Sequence, residues 1–177
     1  MEEKKPSSAI SDSETFISKD LPSESLSRVD NLIKGDGVFK PIPPDYDTQG
    51  SYSDLVRGLL KISSVQRGKI SCFLSIKPAF TNMYGGLHGG AVAAVAEIVS
   101  IACARTVVGE DKDLFLGELG LSYLSGAPRN AEVVVDGSVV RSGRNLTAVT
   151  VEFRLKESGR LLYTTRATFY NMPVASL

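Results

Sequence analysis

From Leu87 to Ala104 the chain runs for eighteen residues with no Asp, Lys or Arg, and only His88 and Glu97 are basic or acidic. A helix of Ala, Val and Gly shows no polar face to water, so such a run must be covered on most sides. Its length raises a membrane span. An acid at the centre of a span costs about 2.5–3.5 kcal/mol, however, and Ala and Gly drive insertion weakly. The run therefore reads as a buried helix, with no membrane span, reaching about residue 107 and ended by Gly109.

The flanking segments alternate with a period of two. Ile70, Cys72, Leu74 and Ile76 interleave with Ser71, Phe73, Ser75 and Lys77, which predicts a strand ended by Pro78. Further strands are expected over 114–124, 131–141, 146–156 and 161–170, with Ser142-Gly143 and Ser158-Gly159 turning hairpins. Asp136-Gly137 is normally a hairpin mark, but the apolar stretches beside it are short, so a long strand bulged at Gly137 is expected. Residues 54–60 predict a short helix with Ser53 as N-cap. The architecture that follows is α+β: a long central helix wrapped by a curved antiparallel sheet of about five or six strands. Ala91, Ala93, Ala94 and Ala96 let the sheet approach closely.

Two domains are expected, a polar tail over 1–50 and a folded body over 51–177. The first thirty residues hold eight serines, and Pro41, Pro43 and Pro44 lie just beyond. Such a segment buries too little apolar surface to offset its ordering entropy and is expected to be disordered or loosely docked. Leu26, Val29, Leu32 and Ile33 nevertheless have helical spacing. Residues 1–50 carry six Lys/Arg against ten Asp/Glu, and 51–177 carry fourteen against ten. That asymmetry is too mild for a nucleic-acid binder, whose basic surface is large and clustered. It suits a body meeting an anionic small molecule. Cys72 and Cys103 lack metal-type spacing and read as small buried hydrophobes in a reducing compartment. The polar start, with seven acids and four bases in residues 1–30, predicts neither a secretory leader nor an organelle transit peptide. A cytoplasmic protein is expected. Ala175-Ser176-Leu177, a loose match to a Ser-Lys-Leu address, keeps a peroxisomal location as the alternative.

The chemistry gathers at the helix. Glycines at a helix start let a ligand approach free N–H groups where the helix dipole favours negative charge. The bland alternative is that they only permit tight packing. Glu97, in an apolar helix, suits activation of water or nucleophilic attack; its bland alternative is a buried acid paired with an Arg or a backbone donor. His88, the only histidine, fits a loop anchor bonded to backbone better than a catalytic group. Ser125 and Ser142 have no second histidine to activate them.

The run Asn82-Met83-Tyr84-Gly85-Gly86-Leu87-His88-Gly89-Gly90, with Ala96-Glu97 on the same helix, resembles the hotdog-fold acyl-CoA thioesterases. The likeness is to the phenylacetyl-CoA-type and small thioesterase-superfamily enzymes. A Glu stands at this place in the hydroxybenzoyl-CoA and dihydroxynaphthoyl-CoA thioesterases. The resemblance covers about 53–170 and includes Tyr123-Leu124-Ser125 and the turn Arg141-Ser142-Gly143-Arg144. It implies hydrolysis of an acyl- or aroyl-CoA to free acid and CoA, without cofactor or metal. On this resemblance the Gly89 N–H is expected to polarise the carbonyl, Glu97 to be base or nucleophile, and Asn82 to orient the water or hold the carboxylate. It places substrate or CoA against His88, Gly90, Arg141, Gly143, Arg144 and Asn145. A local loop turn is the other reading of Asn82, and solvated arginines the other reading of the 141–145 turn. One departure stands out: Leu116 and Gly117 align where some relatives carry a hydroxyl near the base.

Gly89 and Glu97 are eight residues apart, so their backbones lie roughly 12 Å apart along one helix. They do not readily grip one carbonyl from a single chain. Two antiparallel helices solve this, giving a homodimer with two shared sites, which is the family's arrangement; the family also implies a dimer of dimers. Three rivals remain: a hotdog dehydratase or hydratase, a non-catalytic acyl-CoA or fatty-acyl binding module, and a ligand-free structural dimer.

Overall fold

A computed structural model describes residues 22–34 and 44–174. The chain divides into two units, 1–48 and 49–177. In the first, helix α1 (Ser23–Lys34) forms where helical spacing was expected, with Arg28 paired to Glu24 one turn away. The C-terminal tripeptide Ala175-Ser176-Leu177 lies outside the described residues.

The second unit contains α2 (Ser51–Arg57), α3 (Gly89–Arg105) and six strands. The strands are β1 (Leu60–Gln66), β2 (Lys69–Ser75), β3 (Lys112–Tyr123), β4 (Glu132–Ser142), β5 (Leu146–Leu155) and β6 (Leu161–Pro173). They form one antiparallel sheet in the order β1-β2-β4-β5-β6-β3. Alternation sets its inner face: Cys72 and Leu74 on β2, Val133 and Val135 on β4, Val149, Val151 and Phe153 on β5, Ala167 and Phe169 on β6 are all buried. Helix α3 lies across that face with Val92, Val95, Ala96, Val99 and Cys103 against it. A long central helix on a six-stranded antiparallel sheet is the architecture expected from the sequence. Among the described residues no helix is long and apolar enough to cross a membrane.

Three local expectations are corrected. Ser53 is not an N-cap: α2 starts two residues earlier from Gly50, whose φ of 83° suits glycine and which caps without a side chain. Leu60 belongs not to that helix but to β1, which was not expected; a two-residue turn at Arg67-Gly68 joins it to β2. Gly137 is not bulged. It pairs in regular register with both Ile70 and Val151, and the bulge of β4 sits between Val139 and Arg141. Glycine is needed at 137 for another reason. A Cβ there would lie 2.9 Å from Ile70 Cγ2, 3.2 Å from Val99 Cγ1 and 3.3 Å from Cys103 Cβ, so the helix packs closely on the sheet here. Cys72 and Cys103 are free and buried, as small hydrophobes would be. Burial pushes both thiols up from their ordinary range.

Candidate active site

The start of α3 is anchored from both sides. Leu87 N–H donates to Ala127 O (2.9 Å) and His88 N–H to Phe80 O (2.8 Å). His88 is the N-cap, with extended φ and ψ of −65° and 133°, and its Nδ1 accepts the Gly90 N–H at 3.0 Å. Its carbonyl accepts the N–H groups of Ala91 and Val92. His88 is therefore the anchor the sequence suggested, and it uses up the Gly90 amide. Of the first N–H groups of α3, only that of Gly89 has no acceptor among the described residues. A single donor, not the expected pair, faces outward at the positive end of the helix. Packing does not demand a glycine at this place. An added Cβ would stand 3.4 Å from the Tyr123 ring, an ordinary contact.

A cleft of 490 Å³ opens beside this donor, lined by Asn82, Leu87, Gly89, Tyr123, Leu124, Ser125, Gly126 and Tyr163. The Tyr123 hydroxyl donates to Gly89 O at 3.0 Å and fixes the wall against the helix. Asn82 Oδ1 accepts the N–H groups of Tyr84 (3.0 Å) and Gly86 (3.1 Å), so its carbonyl oxygen holds the loop, as the local-turn reading anticipated. Its Nδ2 stays uncommitted among the described residues.

Glu97 sits two turns further along α3, half-buried, between Ala93, Ala94, Ile98 and Ile101. Among the described residues it makes neither an ion pair nor a hydrogen bond. The bland reading, an acid paired with an Arg or a backbone donor, is not what the fold gives. Glu97 is also absent from the lining of the Gly89 cleft. One protomer thus keeps its acid and its helix-start donor apart, as the eight-residue spacing required.

The 141–145 turn is likewise separate. Arg144 O accepts from Lys112 Nζ at 2.8 Å at one end of β3, and Gly143 O accepts from Asn171 Nδ2 at 2.8 Å. Gly89 touches Tyr123 at the other end of that strand. The length of β3, roughly 35 Å when extended, separates Arg141, Gly143, Arg144 and Asn145 from the cleft of their own chain. The β3–β6 register shifts between Leu116 and Glu118, leaving Gly117 as a bulge. Sequence reading missed Tyr163 altogether. Its only signal was an aromatic inside an apolar strand, which reads as core.

A sequence model described as the thioesterase superfamily matches residues 84–162, from the loop before α3 into β6. Fold and matched segment point the same way: the chain has the hotdog fold and is similar to the thioesterase superfamily over that segment. Among individual relatives, human acyl-coenzyme A thioesterase 13 is 26% identical over 125 residues, covering 68% of this chain and 86% of its own. The fold is shared with zebrafish thioesterase superfamily member 2, at a TM-score of 0.62 and 20% identity over 85% of this chain and 98% of that one. A hypothetical thioesterase protein from Streptococcus pneumoniae TIGR4, crystallised with coenzyme A, superimposes at a TM-score of 0.60 and 19% identity over 66% and 88%.

Proposed function

We propose that this chain hydrolyses an acyl- or aroyl-CoA thioester to a free acid and CoA, at a site pooled from two copies. The observation that carries the reading is the pairing of a Gly89 N–H at the start of α3 with a half-buried Glu97 on the same helix, both without a partner among the described residues. The thioester carbonyl oxygen meets the Gly89 N–H, which stabilises the negative charge that grows there. Glu97 of the second chain approaches the carbonyl carbon. As a base it takes a proton from water, the hydroxide adds to the carbon, the C–S bond breaks, and the proton passes to the CoA sulfur. As a nucleophile it adds directly, expels CoA thiolate, and leaves an anhydride that water opens. Asn82 Nδ2 stands at the wall to orient water or carboxylate. The 141–145 turn, remote from its own cleft, is assigned to the CoA phosphates, where Arg suits an anionic group. The names borne by the human relative and by the CoA-containing neighbour support this substrate class.

Two features support a second copy. Beside Glu97, Ala94, Ile98 and Ile101 form an incompletely covered apolar stripe on the side of α3 away from the sheet. Strand β3 is a sheet edge with open backbone groups, and Phe115 (64%), Tyr123 (55%) and Leu124 (58%) are exposed on it or just after it. His88, bound through Nδ1 to its own helix start, gives little support to a dehydratase built on a histidine and an acid.

The test is thiol release from a panel of aliphatic and aromatic CoA esters, by wild type and Glu97→Gln. Wild type releases thiol from at least one ester, and the variant keeps its melting temperature while turnover drops about a hundredfold or more. Near-wild-type turnover by the variant would remove Glu97 from the chemistry. Saturable CoA-ester binding with no thiol release by wild type would favour a binding module.

A further inference from the structure

The cleft beside Gly89 has a second polar group on its wall. Tyr163, on β6, is only 4% exposed, yet it lines this cleft together with Gly89 and Tyr123. Its ring stands edge-on to Tyr123, with centroids 5.7 Å apart, and Tyr123 in turn donates to Gly89 O. A second edge-on contact, with Phe153 at 5.7 Å between centroids, also holds the ring. The hydroxyl oxygen accepts the Ala127 N–H at 3.0 Å, one residue beyond the loop 124–126 that closes the cleft. That bond uses a lone pair and leaves the hydroxyl hydrogen without an acceptor among the described residues. A buried O–H with no acceptor is costly, and its natural complement is an oxygen brought in by a ligand. Burial also pushes the phenol up from its ordinary range, so it keeps its proton at neutral pH and stays a donor.

We propose that the Tyr163 hydroxyl is a second donor to the thioester carbonyl oxygen, acting beside the Gly89 N–H. The inference rests on the thioesterase reading and deepens it. Ala127 N–H fixes the phenol oxygen, the two edge contacts fix the ring, and the remaining hydrogen turns into the cleft. With two donors on one oxygen, the tetrahedral intermediate is held where a single amide would hold it loosely. Tyr163 donates a hydrogen bond and gives up no proton, so Glu97 retains all proton transfer.

Tyr163→Phe keeps the ring and its contacts and deletes only the hydroxyl. Turnover of the best ester is expected to fall about tenfold to a hundredfold, with KM changed far less. Loss of the Ala127 bond lowers the melting temperature too, so a second readout isolates the carbonyl contact. Two inert CoA analogues serve: a ketone with CH2 in place of sulfur, and a thioether that lacks the carbonyl oxygen. The variant binds the ketone about tenfold more weakly and the thioether as wild type does, since one ligand–donor bond is worth about that factor. Unchanged turnover, or equal loss of affinity for both analogues, overturns the role of Tyr163 and leaves the thioesterase reading standing. No thiol release by wild type overturns both.

Discussion

A single backbone N–H carries much of the account. Gly89 can be replaced in two ways that differ in little else. Gly89→Ala keeps the N–H and adds a Cβ in ordinary contact with Tyr123. Gly89→Pro removes the N–H at the first helical position, where proline is well tolerated, and His88 already has the extended backbone that a following proline prefers. Both variants should fold with similar melting temperatures. Gly89→Pro should lose about a hundredfold or more in turnover, while Gly89→Ala keeps most of it. Parallel assays of the two settle the point; equal activity would show that the amide touches nothing that reacts. Gly89 and Glu97 were legible in the sequence because glycine and an acid are out of place in an apolar helix. The division of labour between Gly89 and Gly90 was not. It depends on which amide His88 Nδ1 caps, a matter of one side-chain rotation. Tyr163 was hidden for the opposite reason, since an aromatic on a buried strand looks the same whether or not its hydroxyl is satisfied.

At the scale of elements, the sheet was readable wherever its alternation is unbroken. Strands β2, β4, β5 and β6 bury every second residue, and all were expected within a few positions of their ends. Bulges erase this signal. On β3, Leu114 and Leu116 share a parity that Leu119 and Leu121 do not, because the extra residue at Gly117 shifts the register. On β1, Leu60 and Ile62 are offset from Val65 by the shift between Ile62 and Ser64, and the strand is largely exposed. With neither parity nor burial to mark it, β1 was not expected: its first residue, Leu60, was read as the end of a helix and 61–66 were given no element. The glycines of β4 and β3 differ in consequence. Gly137→Ala drives a Cβ into Ile70 and into the backbone-bound Cβ of Cys103, neither of which can swing away. It should cost about 1–3 kcal/mol, seen as a lower denaturation midpoint with unchanged slope. For Gly117→Ala the three nearest atoms all belong to the ring of Tyr170, which is 49% exposed and free to turn. Its cost should stay near the ±0.5 kcal/mol typical of surface changes. A larger loss at 117 than at 137 would mean that the helix does not press on β4 as described.

For the whole molecule, the proposed chemistry leaves one protomer incomplete. Its Gly89 amide and its Glu97 carboxylate lie on one helix but not at one opening, the basic 141–145 turn is at the far end of β3, and apolar side chains line the open edge. In the proposed dimer, a two-fold pair of antiparallel α3 helices would bring each acid to the other chain's donor, and such an isologous contact would repeat itself to give two sites. The most direct measurement is complementation between two inactive chains. Gly89→Pro and Glu97→Gln, each folded and each inactive alone, are mixed under conditions that exchange subunits, and thiol release is followed. A mixed dimer holds one site with both lesions and one with neither, so an equal mixture should recover about a quarter of wild-type activity under random two-fold pairing. If mixed dimers form, as shown by an affinity tag on one chain, and the mixture stays inactive, the acid and the amide do not meet across two chains.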